Sequence, residues 1–556
     1  MSFELDTLSY TLLGSIFGAA ALLSVRNARG PDIHPLLLNT QSDVSRVRYP
    51  GSTAVYRSRM YPNGSPLLTT SDRSLRTLQD WYLSALDKFR AKTFIGERSG
   101  SFYAWHNYES IEKKSKAYFS GLVNIAGLTP SSGAESSFVG IFSPNTADTL
   151  AIEIGCQCGG LVTIPISQDA TPSHVSHVLE NSGLNVLVVH TALLDRVTAI
   201  AAGNNLLHVK HIVIIGGTSA TSGSLSKLEA SGFKVHQIAD IERNGAENPV
   251  SFGELQNSNI ASIYYTSTNL SDGKPGVILT HKNLLSVAAS YAMIIPPAQR
   301  FTPKDRVMHN LPIDNVYGRV LTLLACACGS SLVYGEIAGE DIDTATALSN
   351  AAEAKPTVFA SGFAFWDQVK DLVEARYGNS FLFRRGLDKK KAYFEEGRLV
   401  NDSKYDMLVF RDIRQKLFGG NLRLVLVDYN DEHKSNVAEF LRAVLGTQVL
   451  QAFNRPETCS TVSLSMLFDY RADPAAFGAP LPCNELKLED LPDRGYTADD
   501  KPNPRGEICV RGNNVFAGYW NDDVATERVK DADGWFMTSI VGEMLPNGTL
   551  KILGLK

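Results

Sequence analysis

The sequence predicts an α/β protein in which two layered, mainly parallel sheets are covered by helices and followed by a small β subdomain. Two observations support this prediction. Short runs that are apolar throughout alternate with helix-like segments between about residues 138 and 428, which is typical of strands buried on both faces. After Ala479 the runs become shorter and are separated by turn residues, which favours a separate small β subdomain.

The composition narrows the class of protein. A chain of 556 residues is long enough for two or three domains, and its 44% hydrophobic and 20% charged content is that of a globular protein. A formal net charge of -5 gives no reason to expect a nucleic-acid partner. The few cysteines favour a reducing compartment, and the pairs Cys156/Cys158 and Cys326/Cys328 are interpreted as small buried residues rather than a metal site.

An uncharged segment from Thr7 to Val25 is just long enough to cross a bilayer as a helix. Glu4 and Asp6 precede it, whereas a secretory signal peptide begins with basic residues. Arg26 and Arg29 follow it, so the positive-inside rule places the bulk of the chain on the cytosolic side. The sequence therefore predicts a membrane anchor through residues 7–25. The alternative is a buried or interfacial helix of the folded domain.

The remaining elements are predicted in chain order. Residues 30–75 are rich in Pro, Ser and Arg and predict an extended arm, and a helix is predicted within Ser74–Phe94. The alternating strands and helices that follow are Phe138–Phe142, Pro144–Gly155, Leu161–Pro165, Ser173–Ser182, Val186–Val189 and His211–Ile215. A second α/β layer is predicted from Leu284–Ile295, Arg319–Leu332 and Leu422–Asp428, and the small subdomain from Glu485–Leu488, Gly506–Arg511 and Leu550–Leu553.

These elements suggest four regions along the chain. They are an anchor at residues 1–29, an arm with the first helices at 30–110, an α/β body at 111–478 and the small β subdomain at 479–556. The stretch Ile263–Leu285 is central to the body. It contains a strand-like run, a polar loop, a second apolar run and then Thr280–Asn283, which is predicted to open a helix. A loop of small and polar residues between buried elements is a layout that holds phosphate with backbone N–H groups.

Several segments carry motifs of one enzyme family. The central stretch matches a YTSGTTGxPKG loop followed by THRN, and an RGE…RG…GY run recurs at Arg505–Gly512 and Gly518–Trp520. Further matching segments are Val139–Asn145, Leu161–Pro165, Phe477–Glu485 and Asp493–Tyr496. From about residue 30 to its end, the chain thus resembles the adenylate-forming (AMP-binding) enzymes, and among them the eukaryotic long-chain fatty-acid–CoA ligases (acyl-CoA synthetases) of fungal type.

The resemblance implies a two-step reaction. The carboxylate of a long-chain fatty acid attacks the α-phosphate of ATP, in the presence of Mg²⁺, and the thiol of CoA then displaces AMP from the acyl-adenylate. Such catalysis rests on positioning and on neutralising phosphate charge. The resemblance implies Thr266, Ser267 and Glu457 as catalytic residues, with Glu457 as the Mg²⁺ ligand. The residues it implies for nucleotide binding are Thr266, Ser267, Lys274, Gly276, Glu457 and Thr458.

The phosphate loop departs from the family pattern. Where the family has Gly-Thr-Thr-Gly-x-Pro-Lys-Gly, this chain has Thr268–Gly276, which is one residue longer and lacks both early glycines. Glycine at these positions permits positive φ and a close approach of the backbone to phosphate. Lys274 and Pro275 are in swapped order, and Asp272 adds a negative charge beside a site for a polyanion. The loop is therefore expected to be blocked or reshaped.

The other ligand-contacting motifs depart as well. The family's GYGxTE appears as Ala452–Thr458, with Asn454 and Pro456 as degenerate positions. The adenine-lining SGSAP is replaced by Val427–Asp431, where bulk and charge occupy the place of small residues. In TGD, whose aspartate binds the ribose hydroxyls, Ile540 replaces the acid.

Two further motifs complete the comparison. LPLAHIFER appears as Leu311–Arg319, which lacks the His and Glu but keeps Arg319. At Gly554–Lys556 the family has a DRKK hinge followed by a lid domain that supplies an adenylation lysine. The expectation is that Leu555 replaces a hinge residue and that no lid domain follows.

Two main hypotheses are open, beside the possibility that the chain is shortened and that a lid domain is encoded downstream or supplied by another chain. The chain is either an active ligase or a catalytically impaired pseudo-synthetase that keeps the fold and the membrane anchor. The second is favoured because the substitutions concentrate at ligand contacts while the core pattern persists. The resemblance further suggests the cytosolic face of the endoplasmic reticulum, with the peroxisomal and mitochondrial outer membranes as alternatives. A protein partner is left open, and none is identified from the sequence.

Overall fold

The computed structural model describes the chain except for residues 1–5, 28–29, 62–63, 101, 131–136, 204–207, 218–221, 266–274, 336–342 and 430–436. The helices α1 to α17 are Thr7–Asn27, Pro35–Leu38, Leu78–Lys88, Tyr108–Ala126, Ala147–Gly159, Pro172–Ser182, Leu194–Ala202, Ser222–Ala230, Ile238–Glu247, His281–Ile294, Val316–Ala327, Thr344–Ala354, Phe363–Tyr377, Phe381–Glu395, Arg411–Phe418, Val437–Leu445 and Asp523–Val529. The strands β1 to β22 are Ser42–Arg48, Ala54–Ser58, Thr93–Ser99, Phe102–Asn107, Phe138–Phe142, Val162–Ile166, Val186–His190, His211–Ile215, Lys234–Gln237, Ile260–Tyr264, Val277–Thr280, Arg306–His309, Ser331–Tyr334, Val358–Gly362, Leu424–Tyr429, Gln448–Arg455, Ser460–Leu464, Ala479–Pro480, Asn484–Glu489, Arg505–Gly512, Phe536–Met544 and Leu550–Leu555.

Three sheets organise these strands. One has the order β11-β10-β6-β5-β7-β8-β9 and the next β18-β17-β16-β15-β14-β12-β13-β3-β4, while the third is β1-β2-β19-β20-β21-β22. The α/β class and the two layered sheets are confirmed. The parallel arrangement holds in the interior of the first two sheets and at the β8–β9 edge, whereas β10–β11, β16–β17–β18 and β3–β4 at the other edges are antiparallel. The short connections from β3 to β4 and from β16 to β17 allow only antiparallel pairing, because a parallel pair needs a longer crossover.

The third sheet combines two distant parts of the chain. Its strands β1 and β2 come from the arm, whereas β19 to β22 follow Ala479. The two parts meet where Leu486 of β19 lies opposite Tyr56 of β2. In the same ladder the guanidinium of Arg57 contacts the buried carboxylate of Glu485 at 2.5 Å. Backbone pairing and a half-buried ion pair therefore attach the arm to the small subdomain.

Most predicted elements are present with shifted ends. The strands Phe138–Phe142 and His211–Ile215 have the predicted bounds. The helix predicted within Ser74–Phe94 covers only Leu78–Lys88, because Thr77 caps its start and β3 begins soon after its end. The helix predicted from Pro144 begins at Ala147, since the Thr146 hydroxyl accepts a hydrogen bond from the Thr149 backbone and ends the preceding extended segment.

Helix α10 begins where the sequence predicts it. The hydroxyl of Thr280 accepts a hydrogen bond from the Asn283 backbone, and the Asn283 side chain accepts one from the Thr280 backbone. The amide nitrogen of Asn283 also donates to the carbonyls of Asn513 and Val515, each at 2.9 Å. The start of α10 is therefore joined to the segment that follows β20.

The predicted N-terminal helix is present as α1. Several of its large apolar side chains are exposed, among them Tyr10, Leu12, Ile16 and Phe17. Within the described part of the chain, no helix combines the length and apolar character that crossing a membrane requires. Of the four cysteines in the Cys-x-Cys pairs, Cys156, Cys158 and Cys326 are buried, as the sequence predicts, whereas Cys328 is only partly buried.

Candidate active site

Three motif-bearing segments meet beside the carboxyl end of β16. The backbone of Trp520 donates to the Gly276 carbonyl at 2.7 Å, and Val277 pairs with Tyr519. The carbonyl of Glu457 accepts from the Phe516 backbone at 2.8 Å. Gly276 and Glu457, which are far apart in sequence, thus both bond to the backbone segment that contains Phe516 and Trp520.

The predicted phosphate loop lies largely outside the described residues. Thr266, Ser267, Thr268 and Lys274 belong to that segment, so their predicted roles stay predictions. Gly276 is described, and a Cβ atom at this position would lie 2.4 Å from the Ile263 side chain and 2.7 Å from the Tyr265 ring. Glycine is therefore needed here for packing.

The carboxylate of Glu457 has two neighbours. One oxygen accepts a hydrogen bond from the Tyr519 hydroxyl at 3.0 Å, and the other lies 3.7 Å from Nε of Arg455. Burial and the Glu457 charge both raise the pKa of Tyr519, which keeps the phenol protonated as a donor. The second oxygen of Glu457 is buried and has no hydrogen-bond partner among the described residues, which fits a Mg²⁺ ligand, whereas the nearby Arg455 guanidinium opposes a cation there. The role of Glu457 as the Mg²⁺ ligand stays a prediction.

The neighbouring turn is stabilised by its own hydrogen bonds. Pro456 begins a 3₁₀ turn that ends at Thr458, whose buried hydroxyl donates toward the carbonyls of Arg455 and Ser460. This hydroxyl is engaged with the backbone, and the predicted role of Thr458 in nucleotide binding stays a prediction.

A buried hydrogen-bond network occupies the ends of β15 and β16. The Asp428 carboxylate accepts from the amide nitrogens of Asn315 and Asn454, at 2.9 Å and 2.6 Å. The carbonyl oxygen of Asn454 in turn accepts from the hydroxyls of Ser460 and Thr461. Burial raises the pKa of Asp428, and the two amide donors oppose that rise. This set of residues, called the Asp428 network below, satisfies its polar groups internally.

The network joins residues of three segments that are interpreted from the sequence as altered motifs. Asn315, Asp428 and Asn454 belong to the segments that resemble LPLAHIFER, SGSAP and GYGxTE. The sheet register places Asp428 opposite Ala452, so Asn454, two residues further along, lies on the same face. Sequence reasoning found each substitution but missed that they bond to one another. The signal that could have revealed it is the appearance of matching amide donors and a carboxylate in three ligand-contacting motifs.

Arg319 is a structural residue in this fold. Its side chain is buried and forms an ion pair with Glu153 at 2.9 Å, and a second nitrogen donates to Asn145. The Glu153 carboxylate contributes to a raised pKa for Arg319. Although the residue is retained from the family motif, its charge is neutralised within the protein.

The two C-terminal degenerate positions differ in environment. Ile540 is 1% exposed and packs in the main hydrophobic core, where it lies opposite Leu555 in the ladder of β21 and β22. Leu555 itself is exposed, and its carbonyl accepts a hydrogen bond from Arg494. An isoleucine in an apolar core cannot supply the acceptor that ribose hydroxyls require.

A cavity lies beside the segment Met308–Ile313. This cavity of about 220 Å³ is lined by Asn145, Gln168, Asn310, His309 and Ile313 among others. His309 is buried, and neither ring nitrogen has a well-formed hydrogen bond within the described residues. Burial and the charge of Arg319 lower the pKa of His309 to about 3, so its imidazole is neutral. Sequence reasoning did not single out His309.

Comparisons with known proteins match most of the chain to one enzyme family. A family model described as AMP-binding enzyme matches residues 85–520. The peroxisomal long chain acyl-CoA synthetase 6 of Arabidopsis thaliana is 29% identical over 516 residues, which cover 91% of this chain and 70% of that protein. The long-chain-fatty-acid–CoA ligase 1 of Homo sapiens is 27% identical over 552 residues, which cover 98% and 76%.

Solved structures share the fold. A long-chain-fatty-acid-CoA ligase from Archaeoglobus fulgidus aligns with a TM-score of 0.66 and 19% identity, covering 89% of this chain and 86% of that one. The A domain of a carboxylic acid reductase from Segniliparus rugosus, in complex with AMP and a co-purified carboxylic acid, aligns with a TM-score of 0.68 and 17% identity, covering 87% and 74%. Taken with the motifs and the match over most of its length, these findings show that the chain belongs to the AMP-binding enzyme family and has long-chain acyl-CoA synthetases as relatives.

Proposed function

We propose that this chain is a pseudo-synthetase of the fungal-type long-chain fatty-acid–CoA ligase branch, which keeps the fold while its nucleotide chemistry is impaired. Its family uses ATP, Mg²⁺ and, in the CoA ligases, CoA. We expect weak binding of ATP and Mg²⁺ here and little turnover of a long-chain fatty acid with CoA.

The Asp428 network carries this proposal. A buried carboxylate and two amides stand where the family pattern has small residues around adenine, and their polar groups are already paired. A nucleotide entering this position would have to break these bonds and accept a buried negative charge nearby, and both costs oppose binding. Ile540, buried in the core, removes the acceptor for the ribose as well.

The alternative is an active ATP-dependent long-chain fatty-acid–CoA ligase. Two observations favour it. Glu457 is retained at the end of β16, and the cavity of about 220 Å³ beside His309 offers unpaired buried polar atoms that a ligand could satisfy.

Calorimetric titration of the full chain with ATP and Mg²⁺ tests the proposal, together with AMP release in the presence of palmitate and CoA. We expect ATP binding too weak for calorimetry to detect, AMP release far below that of a positive control, and one cooperative melting transition, which would show that the protein is folded. A relative with the intact family motifs serves as the positive control. Micromolar ATP affinity with acyl-CoA production would establish the alternative, and ATP binding without acyl transfer would contradict the role assigned to the Asp428 network.

Membrane attachment is a separate part of the proposal. The apolar side chains exposed on α1, including Tyr10, Leu12, Ile16 and Phe17, favour attachment of Thr7–Asn27 to a membrane. The endoplasmic reticulum, with the protein on its cytosolic face, is the membrane we propose, and the peroxisomal and mitochondrial outer membranes are the alternatives.

A further inference from the structure

A second cavity lies beneath the arm, away from the candidate active site. It has a volume of about 340 Å³, which is within the usual range for small-molecule pockets. We call it the arm cavity, and its walls include Ile33, Leu37, Ile295, Leu450, Leu464 and Leu481.

The arm cavity is distinct from the nucleotide side of the molecule. Leu450 lies near the start of β16, whereas Glu457 follows the other end of that strand, so the two are separated by roughly 20 Å at the usual rise per residue. The arm residues that close it, from Ile33 to Met60, precede residues 85–520, which match the family model. One wall of the cavity is therefore built by a part of the chain outside the family match, while the opposite wall lies within it.

The interior of the arm cavity is suited to an alkyl chain. Its walls are mainly aliphatic, and two of the polar side chains among them are bonded to the protein. The Gln41 amide donates to Asp469 at 2.8 Å, and the Ser465 hydroxyl accepts from the Gln451 backbone at 2.8 Å. A polar ligand would find few free partners there, whereas an apolar chain would lose little by leaving water.

The mouth combines apolar side chains with one cation. Leu36, Leu37 and Met60 are about half or more exposed, at 67%, 56% and 48%. Arg59 also lines the cavity, and no carboxylate among the described residues pairs with its guanidinium, whose contact there is with the Thr40 carbonyl at 3.4 Å. An exposed guanidinium at the edge of an apolar cavity complements an anionic head group.

We propose that the arm cavity binds the alkyl chain of a single-chain anionic amphiphile, with the head group at Arg59. The amphiphile is either a free long-chain fatty acid or a lysophospholipid drawn from a membrane, since both present one chain and an anionic head. Only a short segment separates α2, which carries Leu36 and Leu37, from the exposed apolar helix α1, so the mouth lies on the part of the chain next to the proposed membrane attachment. The site does not depend on whether the chain forms acyl-CoA.

Photolabelling of the full chain without nucleotide tests the proposal. One arm uses palmitate carrying a diazirine near the end of its chain, and the other uses the matching lysophosphatidic acid in phosphatidylcholine vesicles. Labelled peptides are identified by mass spectrometry. We expect label on Leu464–Phe468 or on Ile33–Thr40, and the arm that gives it identifies the source of the amphiphile. Label confined to Met308–Ile313, or absent in both arms, would overturn the proposal.

Two variants at the mouth separate the contributions of head group and chain. Arg59→Glu should weaken palmitate binding by roughly three- to tenfold while leaving hexadecanol binding unchanged, because only the charged ligand meets the reversed side chain. Leu37→Trp should weaken binding of both ligands by narrowing the mouth, and its exposed position spares the fold. Arg73→Glu, an exposed arginine that does not line the cavity, is the charge-matched control. Equal affinities for palmitate in Arg59→Glu and Arg73→Glu would contradict the assignment of the head group to Arg59.

Discussion

At the scale of single residues, the environment of Ile540 determines whether an aspartate that binds ribose, as in the family motif, can be introduced at this position. Its side chain lies in the main core, so Ile540→Asp would bury a carboxylate without a partner. We expect this variant to lose roughly 3–5 kcal/mol of unfolding free energy and to gain no ATP binding. Urea unfolding and calorimetry measure the two effects.

The controls for Ile540 come from the same strand. Ile540→Val should cost only about 0.5–1.5 kcal/mol, because it removes one buried methyl group. Ser539 is exposed with φ of 59°, a conformation that Asp tolerates, so Ser539→Asp should change stability by less than about 0.5 kcal/mol. A stable Ile540→Asp variant that binds ATP would contradict our interpretation of this position.

Asn454 controls the charge state of the Asp428 network. Asn454→Ala removes a donor to Asp428 and the acceptor of two hydroxyls, which should cost about 1–3 kcal/mol. Burial already raises the pKa of Asp428, and losing the Asn454 donor raises this pKa further. A carboxyl group whose pKa is higher in the folded state than in the unfolded state stabilises the fold while it is protonated. This stabilisation is fully present below the unfolded-state pKa and is lost as pH rises through the folded-state pKa. The loss of stability should therefore be greater at pH 8 than at pH 5.

A matched control separates the titration from the lost hydrogen bond. The buried side-chain amide of Asn484 donates to a backbone carbonyl, that of Val462, instead of to a carboxylate. Asn484→Ala should cost the same amount at both pH values, measured by urea unfolding. If Asn454→Ala shows the same pH-independent loss, the Asp428 carboxylate does not titrate as we infer.

At the scale of elements, the start of helix α10 links the body to the third sheet. Thr280→Ala removes one cap and should cost about 1 kcal/mol. Asn283→Ala removes the reciprocal cap and two bonds to the carbonyls of Asn513 and Val515, so its cost should be larger, roughly 2–3 kcal/mol. Lys282→Ala, between them, is the control and should be nearly neutral. Equal losses for Thr280→Ala and Asn283→Ala in urea unfolding would contradict the linking role of Asn283.

Element types were more predictable than element ends. Fully apolar runs such as Phe138–Phe142 and His211–Ile215 are buried strands with the expected bounds, since continuous burial on both faces leaves a local signal in the sequence. Helix starts at Leu78 and Ala147 depend on the capping residues Thr77 and Thr146, which apolar spacing alone does not reveal. A capping side chain bonds one backbone N–H group that the first turn of a helix leaves unpaired. It therefore shifts the residue at which the helix begins without changing the type of element.

At the scale of the whole molecule, the N-terminal helix provides the test of membrane attachment. Deleting residues 1–29 removes α1 and leaves the arm strands β1 and β2 in place. We expect the truncated protein to move from the membrane fraction to the supernatant after ultracentrifugation of expressing cells, because the exposed apolar side chains of α1 are gone. Removal of residues 1–5 alone is the control. A truncated protein that stays with the membranes would assign attachment to another surface.

The sequence by itself determined the class of fold, the order of strands and helices, the family resemblance and the positions at which the ligand-contacting motifs are altered. Each of these rests on local patterns of burial or on matching runs of residues. Only the tertiary structure decided that Asn315, Asp428 and Asn454 bond to one another, that Arg319 pairs with Glu153 and that Ile540 lies in the core. These contacts join residues far apart in the chain, and they depend on which strands become neighbours in a sheet. Alternating apolar runs do not specify which strands become neighbours, because strands with the same burial pattern can occupy any interior place in a sheet.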